Sequence, residues 1–66
     1  MWQLWSLAPE DGTRTELIHE YTLDEEVAAT RALIWLHNLD RTSHTNRALT
    51  LINTSPQQET ALQLQH

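Results

Sequence analysis

The hydrophobic pattern of this 66-residue chain changes period at Thr22. Over residues 2–21, apolar and polar residues alternate, which is typical of two strands joined in a hairpin at Asp11-Gly12. Over residues 23–39, apolar residues recur every three to four positions, as in an amphipathic helix. A hairpin and a helix bury their apolar sides by packing on each other, so the pattern predicts a small α+β domain.

A capping box marks the start of the predicted helix. Thr22 supplies the N-cap hydroxyl, and Glu25 stands three residues later, where its carboxylate can accept the N-cap backbone N–H. Asp24 and Glu26 add negative charge at the positive end of the helix dipole. We predict a helix over residues 22–40 with one broad apolar arc lying on the sheet. The arc consists of Ala28, Ala29, Ala32, Leu33, Trp35, Leu36 and Leu39.

The hairpin turn determines which strand side chains share a face. A loop of two residues and a loop of four residues around Asp11-Gly12 place the same side chains on the same face of the sheet. The predicted core face carries Trp2, Leu4, Ser6, Ala8, Leu17, His19 and Tyr21. The opposite face carries Gln3, Trp5, Leu7, Glu16, Ile18 and Glu20. A single helix covers only one face of a sheet, so we expect Trp5, Leu7 and Ile18 to lie side by side and exposed.

The second half of the chain completes the predicted sheet. Residues 40–46 are polar and indicate a loop, while residues 47–54 are rich in Leu, Ile and Thr and indicate a third strand. Residues 55–66 fit a strand, a short helix or a frayed tail, and their final period-two alternation favours a strand. The predicted fold is a single α+β domain, residues 1–66. It begins with the hairpin of residues 1–21 and forms a small antiparallel sheet (ββαβ, with a fourth strand favoured) under one long helix.

Charge and composition restrict the class of partner. The net charge is −5, from nine carboxylates against four arginines, and the chain has no lysine. Affinity for phosphates depends on Lys and Arg, so direct nucleic-acid binding is not expected. The sequence shows no signal peptide and no apolar run long enough to cross a bilayer, so we expect a cytoplasmic protein that does not contact a membrane.

The sequence carries no pattern that predicts catalysis or a cofactor. The four histidines are not spaced to bind one metal ion and no cysteine accompanies them, so no metal is expected, and His19 is interpreted as a buried, hydrogen-bonded residue. Asp40, Ser43 and His44 are the residue types of a catalytic triad in one loop. However, the sequence has no G-x-S-x-G turn to present a nucleophile. We therefore expect that the protein is not an enzyme.

Arg41, His44 and Arg47 form a basic cluster and are candidate contacts for a phosphate or for a carboxylate of a partner. A structural role is the alternative, in which Arg41 neutralises the negative end of the preceding helix.

An excess of apolar residues is the feature that points to a function. A chain this short buries only about 60% of its unfolded surface, and small domains without disulfides often gain stability by forming oligomers. One candidate interface is Trp5, Leu7 and Ile18, and the other is a narrow helical stripe. The stripe consists of Leu23, Val27 and Ile34. We predict a small regulatory or protein-interaction protein that forms a homodimer, with a protein partner that the sequence does not name.

An acidic inhibitor is the alternative function. In that interpretation the carboxylates mimic the phosphates of a nucleic acid and occupy a basic site on an enzyme. They are Glu16, Glu20, Asp24, Glu25 and Glu26.

Overall fold

A computed structural model describes residues 1–54 and the backbone of residues 59–64. Its elements are β1 (Trp2–Leu7), β2 (Arg14–Tyr21), a 3₁₀ turn (Leu23–Glu25), α1 (Glu26–Thr42), β3 (Ala48–Thr54) and β4 (Glu59–Leu64). All neighbouring strands are antiparallel, in the order β2-β1-β3-β4. The antiparallel arrangement of β2, β1 and β3 with one helix confirms the predicted α+β class. The predictions for residues 55–58 and 65–66 lie outside the described residues.

The helix begins with the predicted capping box. The backbone N–H of Thr22 donates to Oε1 of Glu25 at 2.8 Å. The Thr22 hydroxyl also contacts the carboxylate of Asp24 at 2.5 Å. The first turn is 3₁₀, and the α-helix proper starts at Glu26.

The helix ends at Thr42, beyond the predicted end at residue 40. The backbone N–H of Thr45 donates to the carbonyl of Asp40 at 2.9 Å, and that of His44 donates to the carbonyl of Arg41 at 3.4 Å. These two bonds form a Schellman motif, which pairs the last carbonyls of the helix. Its left-handed position is occupied by His44, with a φ of 59°, where glycine is usual.

The core lies between α1 and the central strands β1 and β3. Its buried residues are Trp2, Leu4, Ala29, Leu33, Leu49 and Leu51. Ile18, Tyr21, Ala32 and Leu36 pack against this cluster and are partly buried. Ala29 is fully buried, and its small side chain lets the helix approach the sheet closely.

The predicted apolar arc of α1 is wrong for three of its residues. Ala28, Trp35 and Leu39 are exposed. The buried stripe instead consists of Ala29, Leu33, Leu36 and Asp40. At 100° per residue, the centre of this stripe is rotated by roughly 60° from the predicted arc. This rotation turns Asp40 inward, where its carboxylate pairs with Arg47.

Two irregularities in β2 change the predicted assignment of faces. Trp2 pairs with Tyr21 as predicted, but Trp5 pairs with Leu17 and Ser6 with Glu16. The prediction for Leu17 and Glu16 was therefore wrong: each lies on the face opposite to the predicted one. A β-bulge places an additional residue in one strand, which shifts the alternation of side chains beyond it.

The bulges leave Ile18 and Thr15 without a direct partner in the register of β1. Ile18 packs against the core on the helix side, which contradicts its predicted place beside Trp5. The prediction that His19 is buried is also wrong, because its side chain is exposed and its ring centre lies 4.5 Å from that of Tyr21. β2 is an edge strand, so its side chains lie beside the area that the helix covers rather than beneath it.

Candidate functional site

The outward side of α1 and its preceding turn carries an exposed apolar surface. Its large apolar side chains, with their exposed fractions, are Leu23 (53%), Val27 (64%), Ile34 (48%), Trp35 (66%) and Leu39 (46%). We call these five residues the helix surface. It contains the whole predicted stripe of Leu23, Val27 and Ile34, and it adds Trp35 and Leu39, which sequence reasoning assigned to the core.

The missed residues had one detectable signal in the sequence. Asp40 follows Ala29, Leu33 and Leu36 at helical spacing, so a helix that buries these three residues also buries a carboxylate. A buried carboxylate requires a paired charge, and Arg47 stands at the start of the next strand. A prediction that buries Asp40 beside Arg47 gives the observed rotation of the helix and leaves Trp35 exposed.

Polar groups lie within and around the helix surface. Arg31 and Asn38 are exposed between the apolar residues of α1. Asp24 lies at the N-terminal end, where its hydrogen bond with the Thr22 hydroxyl lowers the pKa of the Asp24 carboxyl. Arg41 lies in the last turn, and it lines a shallow open depression with Asn38 and Thr42. The surface therefore has an acidic end and a basic end.

The side chain of Trp5 on the outer face of the sheet is largely engaged within the chain. Its indole Nε1–H donates to Oε1 of Gln3 at 3.1 Å. Nε2 of Gln3 in turn donates to the carboxylate of Glu20 at 3.2 Å. The guanidinium of Arg14 lies over the indole, with its carbon 5.6 Å from the ring centre. These contacts leave Trp5 partly buried and cover one face of its ring.

The other two members of the predicted sheet surface are not exposed beside Trp5. Leu7 is buried, with 3% exposure, and Ile18 packs on the helix side of the sheet. The expectation that Trp5, Leu7 and Ile18 form one exposed apolar group is therefore wrong. The exposed apolar residue opposite Trp5 on β2 is Leu17, at 38%.

The structure gives Arg47 of the predicted basic cluster an internal partner. Nε of Arg47 donates to Oδ2 of Asp40 at 2.7 Å, and Nη2 donates to Oδ1 at 3.1 Å. This bidentate bond raises the pKa of Arg47 above its usual value. Arg41 and His44 are exposed. Of the three residues, Arg47 is therefore the one with a structural role, while Arg41 and His44 remain candidate contacts for an anion. The pair of Asp40 and Arg47 ties the end of α1 to the beginning of β3.

The residues that resemble a catalytic triad have structural contacts. The Ser43 hydroxyl donates to the carbonyl of Leu39 at 3.0 Å and lies 2.8 Å from the hydroxyl of Thr45. The carboxylate of Asp40 binds Arg47. Among residues 1–54, His, Cys, Asp and Glu side chains do not gather in groups of three that could hold a metal ion.

No helix in the described part of the chain is both long enough and apolar enough to cross a membrane. Comparison of the chain with protein-family models, with curated proteins and with solved structures finds no match.

Proposed function

We propose that this protein is a small, non-enzymatic interaction protein that regulates a partner protein by binding through the helix surface. The observation that supports the proposal is the exposure of five large apolar side chains, between 46% and 66%, on one side of one helix and its first turn. Scattered apolar residues are normal on monomers, whereas several large apolar side chains on one side of a helix, here interrupted by Arg31 and Asn38, are typical of a binding site. Tryptophan is also enriched among the residues that dominate binding energy.

The helix surface is a better candidate than the sheet surface around Trp5. Trp5 already makes a hydrogen bond and a cation–π contact within the chain, and Leu7 beside it is buried. Binding there would have to replace contacts that exist. Trp35 is 66% exposed, so a partner would remove its ring from water.

The expected strength of binding follows from the exposed area. Fully burying one large apolar side chain contributes about 1.5–3 kcal/mol, so a half-exposed one contributes about 1 kcal/mol when a partner covers it. The five residues of the helix surface then contribute on the order of 5 kcal/mol before the costs of association are subtracted. The cost of association is about 4 kcal/mol or more, so these residues alone sustain at most a weak, reversible complex, and a tighter one needs further contacts from the partner.

Site-specific photo-crosslinking tests the proposal. A photoreactive aromatic amino acid replaces Trp35 in the full chain expressed in cells, and the same amino acid replaces Leu17 as the control. Leu17 is also an exposed apolar residue, but it lies on β2. We expect discrete adducts from position 35 that disappear when Val27→Asp is added, and none from position 17. Equal adducts from both positions, or none from position 35, would refute the proposal.

The acidic-inhibitor alternative has one supporting observation. Seven of the nine carboxylates lie within residues 10–26, together with a single arginine, Arg14. A complex made by these charges weakens as salt is added, because salt screens exposed charges. A complex made mainly by the apolar side chains of the helix surface is less sensitive to salt. Adduct yield from position 35 at low and high ionic strength separates the two functions.

A further inference from the structure

We propose that the partner of the helix surface is a second copy of this chain, docked with the two α1 helices antiparallel. The inference rests on the proposed function and specifies its partner. It is carried by the order of charges along the exposed side of the helix, which is complementary to itself when one copy is reversed.

The exposed side of α1 and its preceding turn contains one row of residues. The row, which we call the central stripe, consists of Asp24, Val27, Arg31, Ile34, Asn38 and Arg41. All six are exposed. Their spacing alternates between three and four residues, which is the spacing that places side chains along the seam between two paired helices. The buried residues Ala29 and Leu33 lie on the opposite side of the helix.

The charged ends of the central stripe favour one orientation. When two helices lie antiparallel with their centre between Arg31 and Ile34, Asp24 lies opposite Arg41 of the partner subunit. The two-fold symmetry of a dimer creates this pair twice. A parallel arrangement would instead place Asp24 against Asp24 and Arg41 against Arg41. The helix dipoles add to the same preference, because the antiparallel arrangement sets each negative end beside a positive end.

The charges near the two ends of α1 have the same polarity. Asp24, Glu25 and Glu26 lie in its first turns, and Arg41 lies in its last turn. Arg41 is exposed, whereas Asp40 beside it is paired with Arg47 inside the chain. Antiparallel docking therefore brings the acidic end of each copy towards the basic end of the other.

The sizes of the flanking residues also fit this arrangement. Trp35 lies beside the central stripe, and Ala28 lies on the same side two turns earlier. Reversal of one copy brings the Trp35 indole next to Ala28 of the partner subunit. A small residue at that position leaves room for the ring. Arg31 and Asn38 within the stripe are polar, and polar residues at such positions fix the register of helix pairs at a cost in affinity.

The available area is sufficient for a weak dimer. Trp35 presents about 150 Å² and each aliphatic residue of the helix surface roughly 100 Å², so each copy offers about 500 Å². Two copies then bury at most about 1,000 Å², because Leu39 lies to one side of the central stripe, and an interface of this size is typical of weak, transient complexes. We expect a dimer that dissociates in the micromolar range.

Sedimentation equilibrium of the full chain, from low to high micromolar concentration, measures the self-association. We expect Trp35→Ala to raise the dimer dissociation constant at least tenfold, because Trp35 is the largest and most exposed side chain of the helix surface. Leu17→Ala is the matched control and should leave the constant unchanged. Circular dichroism melts of each variant verify that the compared chains are folded.

Charge exchange tests the orientation. Asp24→Arg and Arg41→Asp, made separately, each turn two attractive pairs into repulsive ones and should weaken the dimer about tenfold. The double variant restores opposite charges across the interface and should return the dissociation constant to near the wild-type value. Arg14→Asp makes the same charge change as Arg41→Asp, but on β2, and should leave the dimer dissociation constant nearly unchanged.

The possible results separate this inference from the proposed function. A dimer that depends on Trp35 but is not restored by the double charge exchange refutes the antiparallel arrangement. A chain that stays monomeric at high micromolar concentration refutes self-pairing altogether. In that second case, crosslinks from position 35 to a different protein would still support the helix surface as a binding site. A monomeric chain that also gives no crosslinks from position 35 would refute both proposals.

Discussion

Removal of the Arg47 side chain is expected to destabilise the fold strongly. In Arg47→Met the hydrophobic stem remains, but Asp40 loses a partner that makes two hydrogen bonds, at 2.7 and 3.1 Å. The Asp40 side chain is only 4% exposed, so its carboxylate cannot recover those bonds from water. Breaking a buried pair from one side costs about 3–5 kcal/mol. A folded chain of this length has roughly 3–10 kcal/mol of total stability, so the variant should lose a large fraction of it.

A double variant separates the cost of the unpaired charge from the contribution of the pair. Asp40→Leu combined with Arg47→Met removes both charges and fills the space with apolar atoms, which is often neutral for buried ion pairs. Urea denaturation of the wild type, both single variants and the double variant gives the coupling energy. If Arg47→Met costs less than about 1 kcal/mol, or if the two single costs simply add, the pair does not stabilise the fold as argued.

Three further perturbations test other parts of the fold. His44→Gly should raise the free energy of unfolding by about 1 kcal/mol, because glycine adopts a positive φ without strain; an unchanged urea midpoint would contradict this. Because the pKa of Asp24 is lowered in the folded state, its hydrogen bond with Thr22 stabilises the fold above the unfolded pKa, near 3.8, and that contribution is lost as pH falls through the folded value. Thr22→Val should therefore flatten the acid limb of urea midpoints measured between about pH 5 and pH 2. Leu33→Ala should lower the free energy of unfolding by about 2–5 kcal/mol, measured by thermal melts, whereas Trp35→Ala should lower that of the monomer far less. Similar losses for the two variants would show that α1 is rotated differently.

Local sequence signals predicted the elements of this fold well. The capping residues Thr22 and Glu25 make the expected hydrogen bond at the start of the helix. The change of period separated the hairpin from the helix, and antiparallel pairing of β2 with β1 and of β1 with β3 matches the predicted sheet. These features depend on neighbours within a few residues, which a single sequence displays directly.

The faces of the elements were less predictable because they depend on distant contacts. The rotation of α1 pairs Asp40 with Arg47, which lies outside the helix and seven residues further along the chain. Several arcs of the helix are similarly apolar, so composition alone does not choose between them. The bulges at Ile18 and Thr15 have no local signature, since neither glycine nor proline marks them. Each error moved predicted interface residues: Trp35 from the core to the helix surface, and Ile18 from the outer face of the sheet towards the core.

The irregular register of β2 has a consequence for how copies of this chain meet at high concentration. β2 is an edge strand, and a flat edge strand can recruit another strand through its unpaired backbone groups and grow into fibrils. Two bulges within eight residues bend and twist this edge, so the backbone groups of a second, straight strand cannot align with it. Charged side chains such as Glu16 and Glu20 further oppose stacking of identical edges. The chain thereby discourages open-ended growth along this edge, while closed assemblies made through its helix remain accessible.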